Sequence, residues 1–365
     1  MDTSVMPSRK TLGVVGAMTA SACASIYYAP HLSRVLSDFY GNVWWPGRRM
    51  YGATGLPDTH TQWPATATAA LSPLALVPEW AAATLWLTAS IACFGGAIWL
   101  LGCRDYRAYA VALASPPVLC CLVLGNMTLL LVAGVTAVWV ARDRRPVLAG
   151  SLAGAMVLMK LWLWPLGVFL LVTRRFLAAS TAAALVVAGV FAWWLLSPDA
   201  LYAYDDRTRE AVEAFGPLGM GVVSIAVNEG ATVGAAEVVA FAACAAALLV
   251  AWRATRELVR LTLCLAAALL ASPVVWAHYY AILFVPIAIR SPRLSGFWLV
   301  PYLTIGALLW PTVRVEFIVA SALSLAALAI VCVHIAGPRG ARARVGRGRT
   351  SPSSRQAGAD PRDHP

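Results

Sequence analysis

The chain has 365 residues, of which 60% are hydrophobic and only 12% charged, with a mean hydropathy of +0.72. Soluble domains are about 45–50% apolar and about 25% charged, so these figures exclude a soluble enzyme, a disordered protein and a disulfide-stapled secreted domain. The net charge of +11 does not point to nucleic acid, because the basic residues gather at the ends of apolar runs and in the C-terminal tail, where membrane topology puts them.

The apolar runs are continuous and do not alternate with period two, which argues against a β-barrel and for an all-α, polytopic membrane protein. The first run, about 11–30, follows Arg9 and Lys10 and lacks a clean signal-cleavage site. It reads as an uncleaved helix with its N-terminus inside. A polar segment, 31–64, follows as the first outer loop. Beyond it, arginine clusters at 104–107, 142–145, 174–175, 253–260 and 290–293 punctuate the apolar stretches. Placing every cluster on the cytoplasmic side requires an even number of crossings between them. That sets outer turns at Gly125–Asn126, near Lys160, over 198–230, near Ser272–Trp276 and at Val313–Glu316. The result is about twelve transmembrane helices with both termini cytoplasmic.

In that arrangement 14 basic residues lie inside before the tail and seven lie outside. The stretch 147–173 must then hold two short helices meeting at Lys160–Pro165, and 261–290 is interrupted at Ser272-Pro273. Broken helices at membrane depth are tolerated where protein surrounds them or a cavity adjoins them. Residues 1–336 form one transmembrane domain. Residues 337–365, rich in Arg, Gly, Ser and Pro, read as a disordered basic cytoplasmic tail. Seven of the eight Cys lie within apolar runs and read as small hydrophobes; none has metal-site spacing.

The ionisable residues that membrane insertion does not require gather on the outer side. Asp38 lies in the first loop, within Ser37-Asp38-Phe39-Tyr40 and just before Trp44-Trp45. Lys160 sits at the second outer turn among Met159, Leu161, Trp162 and Trp164, and His278 follows the fifth. Charged side chains at such depth mark functional sites, so a site, if present, faces outward. The charges of 199–213 read as a solvated amphipathic stretch, and Arg207 and Arg209 are expected to tolerate substitution. Asp105 and Asp143, set among arginines, read as local ion pairs.

Several segments together resemble a known family. Ser37-Asp-Phe-Tyr, Trp45-Pro-Gly-Arg-Arg-Met-Tyr-Gly52, Trp63-Pro64 and Leu71-Ser-Pro-Leu-Ala-Leu-Val-Pro78 are similar to the first outer loop of the polyprenyl-phosphate-mannose-dependent α-1,2-mannosyltransferases, glycosyltransferase family 87 of the GT-C superfamily. Gly125-Asn126-Met-Thr-Leu-Leu resembles the family's Gly-Gln-x-x-x-Leu turn. Lys160 and Pro165 resemble its Lys-x-x-Pro region, and Ser272-Pro-Val-Val-Trp276-Ala-His278 its Ser-Pro-x-x-Trp-x-His-His motif. The resemblance covers roughly residues 10–335. The chain departs from the pattern at Ala65 (the family has a second Pro), at Asn126 (Gln), in a longer Lys-to-Pro spacing, and at Tyr279 (a second His).

The resemblance implies a GT-C-like fold and an inverting transfer of a sugar, mannose in the family, from a polyprenyl-phosphate donor. The acceptor is a glycolipid or lipoglycan hydroxyl at the outer face of the plasma membrane. It implies Asp38 as general base, with Lys160 and His278, and less directly Arg48 and Arg49, on the donor phosphate. Trp44, Trp45, Trp63, Asn126, Trp276 and Tyr279 are candidate substrate contacts. Neither cofactor nor metal is expected, since a monophosphate leaving group needs no Mg²⁺ clamp. The expected partners are the lipid-linked donor, the acceptor and membrane lipid, with no nucleic acid. A secondary transporter is the rival reading: it also fits many spans, broken helices and a buried lysine. The lack of a repeat between the two halves and the one-sided charges speak against it.

Overall fold

The computed structural model describes residues 36–51, 63–307 and 314–337. The expected first helix, most of the 337–365 tail and part of the first outer loop lie outside the described residues. Among those described, the chain is helical throughout and has no strand, as the continuous apolar runs require.

Four helices are long and apolar enough to cross a membrane: Glu79–Leu100, Phe176–Leu195, Val233–Arg253 and Arg314–Ala336. Two bent pairs raise the number to six: Tyr106–Leu113 with Pro116–Leu124, bent by 59°, and Leu201–Leu218 with Val222–Asn228, bent by 74°. The second pair includes Pro198–Phe215, whose seven charged residues make it amphipathic and a poor span. The expectation of about twelve spans is therefore not confirmed among the described residues. The reason is length. Thr128–Ala141 and Pro146–Met159 have 14 residues each, about 21 Å of helix at 1.5 Å per residue, against a hydrocarbon core of about 30 Å. Counting crossings from charge clusters treats such short helices as full spans.

The breaks themselves fall where the residues dictate. Gly125 ends Pro116–Leu124 in the left-handed region, at φ 66°, which a side chain resists. Lys160, extended at φ −149°, ends Pro146–Met159, and Pro165 begins Pro165–Val172. Ser272-Pro273 ends Glu257–Ala271, because proline cannot continue the ladder. Pro146–Met159 and Phe176–Leu196 pack closely through Gly150-x-x-x-Gly154, where an added Cβ would strike the carbonyls of Ala178 and Ala182. That is the small-residue contact by which helices approach in lipid.

The arginine clusters converge as their spacing suggests. Arg142 pairs with Glu257 at 3.2 Å, and Arg175 joins Glu257 at 2.8 Å and also Asp143. These contacts tie together the ends of three helices. The Arg260 guanidinium donates to the Val172 carbonyl at 2.9 Å, and that of Arg256 to Gly337 at 2.7 Å. This girdle lies at the far end of Pro165–Val172 from Lys160.

Asp105 caps Tyr106–Leu113, accepting from the Arg107 amide at 3.2 Å and from the Leu294 amide at 3.0 Å. The Arg107 side chain and these amides hold its carboxyl down to about 2. Because the folded-state value is depressed, the stabilisation is present above the ordinary carboxylate range and is lost as pH falls through about 2. Asp105→Ala should lower stability by about 1 kcal/mol, the usual worth of an N-cap, measurable as a shift in the denaturation midpoint of detergent-solubilised protein. No change would show that the cap and the tie to Leu294 contribute nothing.

Candidate active site

Three breaks and one amphipathic helix meet around a cavity of about 300 Å³, at the small end of ligand pockets. Asp38, Trp63, Asn126, Lys160, Trp276 and Tyr279 all line it. Six of the residues singled out from sequence are thus brought together from five separate segments.

Asp38 stands in a short helical stretch, 37–49, that relaxes into a π-turn at Tyr40–Trp44, a geometry that recurs at functional sites. Its Oδ2 accepts a hydrogen bond from Asn126 Nδ2 at 2.6 Å. The Asn126 amide cannot flip freely, because its Oδ1 already accepts from the Thr128 amide at 3.0 Å and the Thr128 hydroxyl at 2.7 Å. The turn is pinned in turn by Trp86, whose Nε1 donates to the Gly125 carbonyl at 2.8 Å. Gly125 lies so close to Phe39 that an added Cβ would come within 2.8 Å of the Phe39 Cβ. The glycine therefore both makes the turn and lets Asp38 sit beside it. Asn126→Ala should leave the fold intact and lower turnover about tenfold, since the carboxylate loses its positioning donor but not its basicity. Asn126→Gln should recover part of that loss; equal rates for the wild type and Asn126→Ala would remove this role.

Lys160 is buried, with its Nζ 5.1 Å from the Trp63 ring centroid and 5.4 Å from that of Tyr279. It also lies 3.4 Å from the Tyr279 hydroxyl, as donor to it. Trp162 stacks on Tyr279 with centroids 4.9 Å apart. The ammonium is thus held by aromatic faces, one wall of the cavity. Asp38 sits in the short helical stretch 37–49 and Lys160 in the break after Met159, both outside the candidate spans. Burial raises the Asp38 carboxyl from its ordinary value, against the Asn126 hydrogen bond and the Lys160 charge, which lower it. Burial pushes the Lys160 ammonium down to about 8, with Asp38 acting the other way.

Other expected contacts do not reach the cavity wall. His278 is buried behind Tyr279, with ring centroids 4.7 Å apart, and its Nδ1 lies 3.8 Å from the Cys120 sulfur. Successive residues of a 3₁₀-helix diverge by about 120°, so turning Tyr279 toward the cavity turns His278 away. Trp44 is buried within the first-loop packing, while Trp45, Arg48 and Arg49 are exposed. The Arg48 guanidinium lies 5.8 Å from the Trp44 ring.

The reading of 199–213 as merely solvated needs correction. Tyr204, Arg207, Thr208, Ala211 and Phe215 line the cavity. They recur at the spacing of one helix face, while Asp206, Arg209, Glu210 and Glu213 point outward and are exposed. Phe215 meets Trp276 with centroids 5.9 Å apart. The end of this helix is fixed to the site by the Met220 amide, which donates to the Val275 carbonyl at 2.5 Å, and by the Tyr280 hydroxyl, which donates to the Met220 carbonyl at 2.8 Å. Sequence spacing held the signal: five cavity residues share a face distinct from the acidic one. Arg207 joins Lys160 and Asp38 in the cavity lining.

Among the described residues, no group of three or more His, Cys, Asp or Glu is placed to hold a metal ion. The fold and site together define a helical membrane protein with an acid and basic residues around one aromatic-walled cavity. The family model described as glycosyltransferase family 87 matches residues 60–273. It covers more than half of the chain, and the chain belongs to that family. Trp63, Asn126, Lys160 and Arg207 fall within the matched span; Asp38 precedes it and His278 follows it. No curated protein and no solved structure matches the chain.

Proposed function

We propose that this membrane glycosyltransferase moves a hexose, mannose by the family resemblance, from a polyprenyl-phosphate donor to a hydroxyl of a cell-envelope glycolipid or lipoglycan. The transfer takes place at the outer face of the plasma membrane. The observation that carries this reading is the shared cavity, whose lining gathers Asp38, Lys160 and Arg207 with Trp63, Trp276 and Tyr279.

Asp38, as the carboxylate, takes the proton of the acceptor hydroxyl as that oxygen attacks the anomeric carbon. The bond from the anomeric carbon to the phosphate oxygen breaks, and its electron pair stays on the phosphate. Attack and departure on opposite faces invert the anomeric centre. Lys160 and Arg207 neutralise the charge that grows on the leaving phosphate, the interaction that matters most in such a transition state. Trp63, Trp276 and Tyr279 offer flat faces to the sugar ring. His278 supports the Tyr279 wall from behind and does not touch the donor.

Membranes containing the protein, incubated with polyprenyl-phosphate [¹⁴C]mannose, should label a glycolipid that is absent from membranes of a deletion strain. Labelling of the same glycolipid in both membranes would overturn the reading.

A further inference from the structure

Glu79–Leu100, Pro116–Leu124, Pro165–Val172 and Val222–Asn228 all close with the same turn. One residue takes a positive φ, its amide donates three residues back, and the next amide donates five residues back. That residue is Gly102 (φ 90°), Gly125 (φ 66°) and Gly230 (φ 96°) in three of the turns, and Arg174 (φ 60°) in the fourth. Glycine is the ordinary occupant, because a Cβ crowds the backbone in this conformation. Among the described residues Arg174 is the one non-glycine residue with a positive φ. Its side chain is exposed. Local geometry favours glycine at 174, so the arginine calls for a reason outside the turn itself.

The surroundings supply one. The Arg175 Nε donates to Asp143 Oδ1 at 3.1 Å, which sets the turn 173–175 beside the turn 142–145. Pro146–Met159 and Phe176–Leu196 leave these turns in parallel, Gly150 meeting Ala178 and Gly154 meeting Ala182, so the two turns lie at one depth. Arg142 and Arg175 engage the carboxylates of Asp143 and Glu257. Arg144, Arg145 and Arg174 are exposed, and among the described residues no acid pairs with them. Just past the first turn Val147 and Leu148 are exposed, and just past the second Phe176 and Leu177. The candidate span Phe176–Leu195 is only 17% buried across its apolar stretch, so these side chains open a face that lies against lipid.

We propose that the turns 142–145 and 173–175 bind the phosphate of an anionic lipid headgroup, with Arg174 as its principal contact and Arg144 and Arg145 beside it. A guanidinium matches phosphate with two parallel hydrogen bonds. The occupant is a lipid because charge and apolar surface adjoin here. A phosphate held at Arg174 places its acyl chains along Phe176 and Leu177, whereas a soluble anion gains nothing from those side chains. The site lies at the far end of Pro165–Val172 from Lys160, separate from the polar cavity, and it stands independently of the sugar-transfer reading.

Native mass spectrometry of the detergent-purified full chain, titrated with phosphatidylglycerol or with phosphatidylcholine, tests this. The wild type should hold phosphatidylglycerol at least about fivefold more tightly than phosphatidylcholine, and glycerol phosphate, which lacks the acyl chains, should not displace it. Arg174→Gly should lower the affinity for phosphatidylglycerol about fivefold, the worth of one basic residue at an anionic surface. Its unfolding midpoint in phosphatidylcholine should hold level or rise, because the strained backbone is relieved. The double change Arg144→Gln with Arg145→Gln should lower affinity roughly twentyfold. Arg104→Gln, which removes an exposed arginine at the end of another span, should change it less than twofold. Equal affinities for Arg174→Gly and the wild type, or an equal loss in Arg104→Gln, would overturn the site and leave only a diffuse attraction between a basic face and an anionic membrane. Displacement by glycerol phosphate would overturn the choice of a lipid as occupant.

Discussion

Asp38→Asn should abolish sugar transfer, lowering kcat by about 10²–10⁴-fold, the range spanned by positioned general bases, while the protein inserts and folds as before. The change is isosteric. The amide oxygen of Asn can still accept from Asn126 Nδ2, which holds the carboxylate at 2.6 Å, so the turn at Gly125 and the packing of Phe39 are undisturbed. What is lost is the ability to take a proton. Donor binding should survive, because the proposed phosphate site is formed by Lys160 and Arg207 and not by the acid. A purified Asp38→Asn variant that transfers sugar at the wild-type rate would remove Asp38 from the mechanism.

Lys160→Met carries the second large effect, and its sign on stability runs opposite to its sign on activity. Met keeps an apolar stem between Trp63 and Tyr279 and removes a buried charge that costs folding energy. The variant should unfold at the same or a higher temperature than the wild type. Its kcat/KM should nevertheless fall about 10²–10³-fold, the usual cost of removing one charge-stabilising donor. The pH profile separates the roles. Lys160 is active in its charged form, so the wild-type rate should fall as pH rises through about 8. Asp38 is active as the carboxylate, so the rate should also fall in acid, at a pH above the ordinary carboxylate value of 3.8. In Lys160→Met the alkaline limb should disappear and the acid limb should remain. An unchanged alkaline limb would assign it to another group.

Much of this site is legible in the residues because its parts sit at chain breaks, and breaks are written in glycine and proline. Gly125 before Asn126 and Pro273 after Ser272 each stop a helix, Pro165 after Lys160 starts one, and each break presents a polar group to the cavity. The span count was not legible by the same means. Charge clusters report which end of a helix is basic but not whether 14 residues reach the other side.

Arg207 was hidden for a different reason. An amphipathic helix rich in Asp and Glu reads as a solvated surface, and only its Tyr204–Arg207–Thr208–Phe215 stripe tells it from one. For His278, the motif gives the residue's place in the chain and not the direction of its side chain, which is buried beside Tyr279. In the turn 277–283 the neighbour, Tyr279, takes the cavity.

The most direct measurement is a structure of the Asp38→Asn protein in nanodiscs with the polyprenyl-phosphate sugar bound. The account predicts the phosphate between Lys160 and Arg207, the sugar against Trp63 and Trp276, and room for an acceptor hydroxyl within about 3 Å of residue 38. A donor phosphate bound outside this cavity, or a sugar turned away from residue 38, would contradict it.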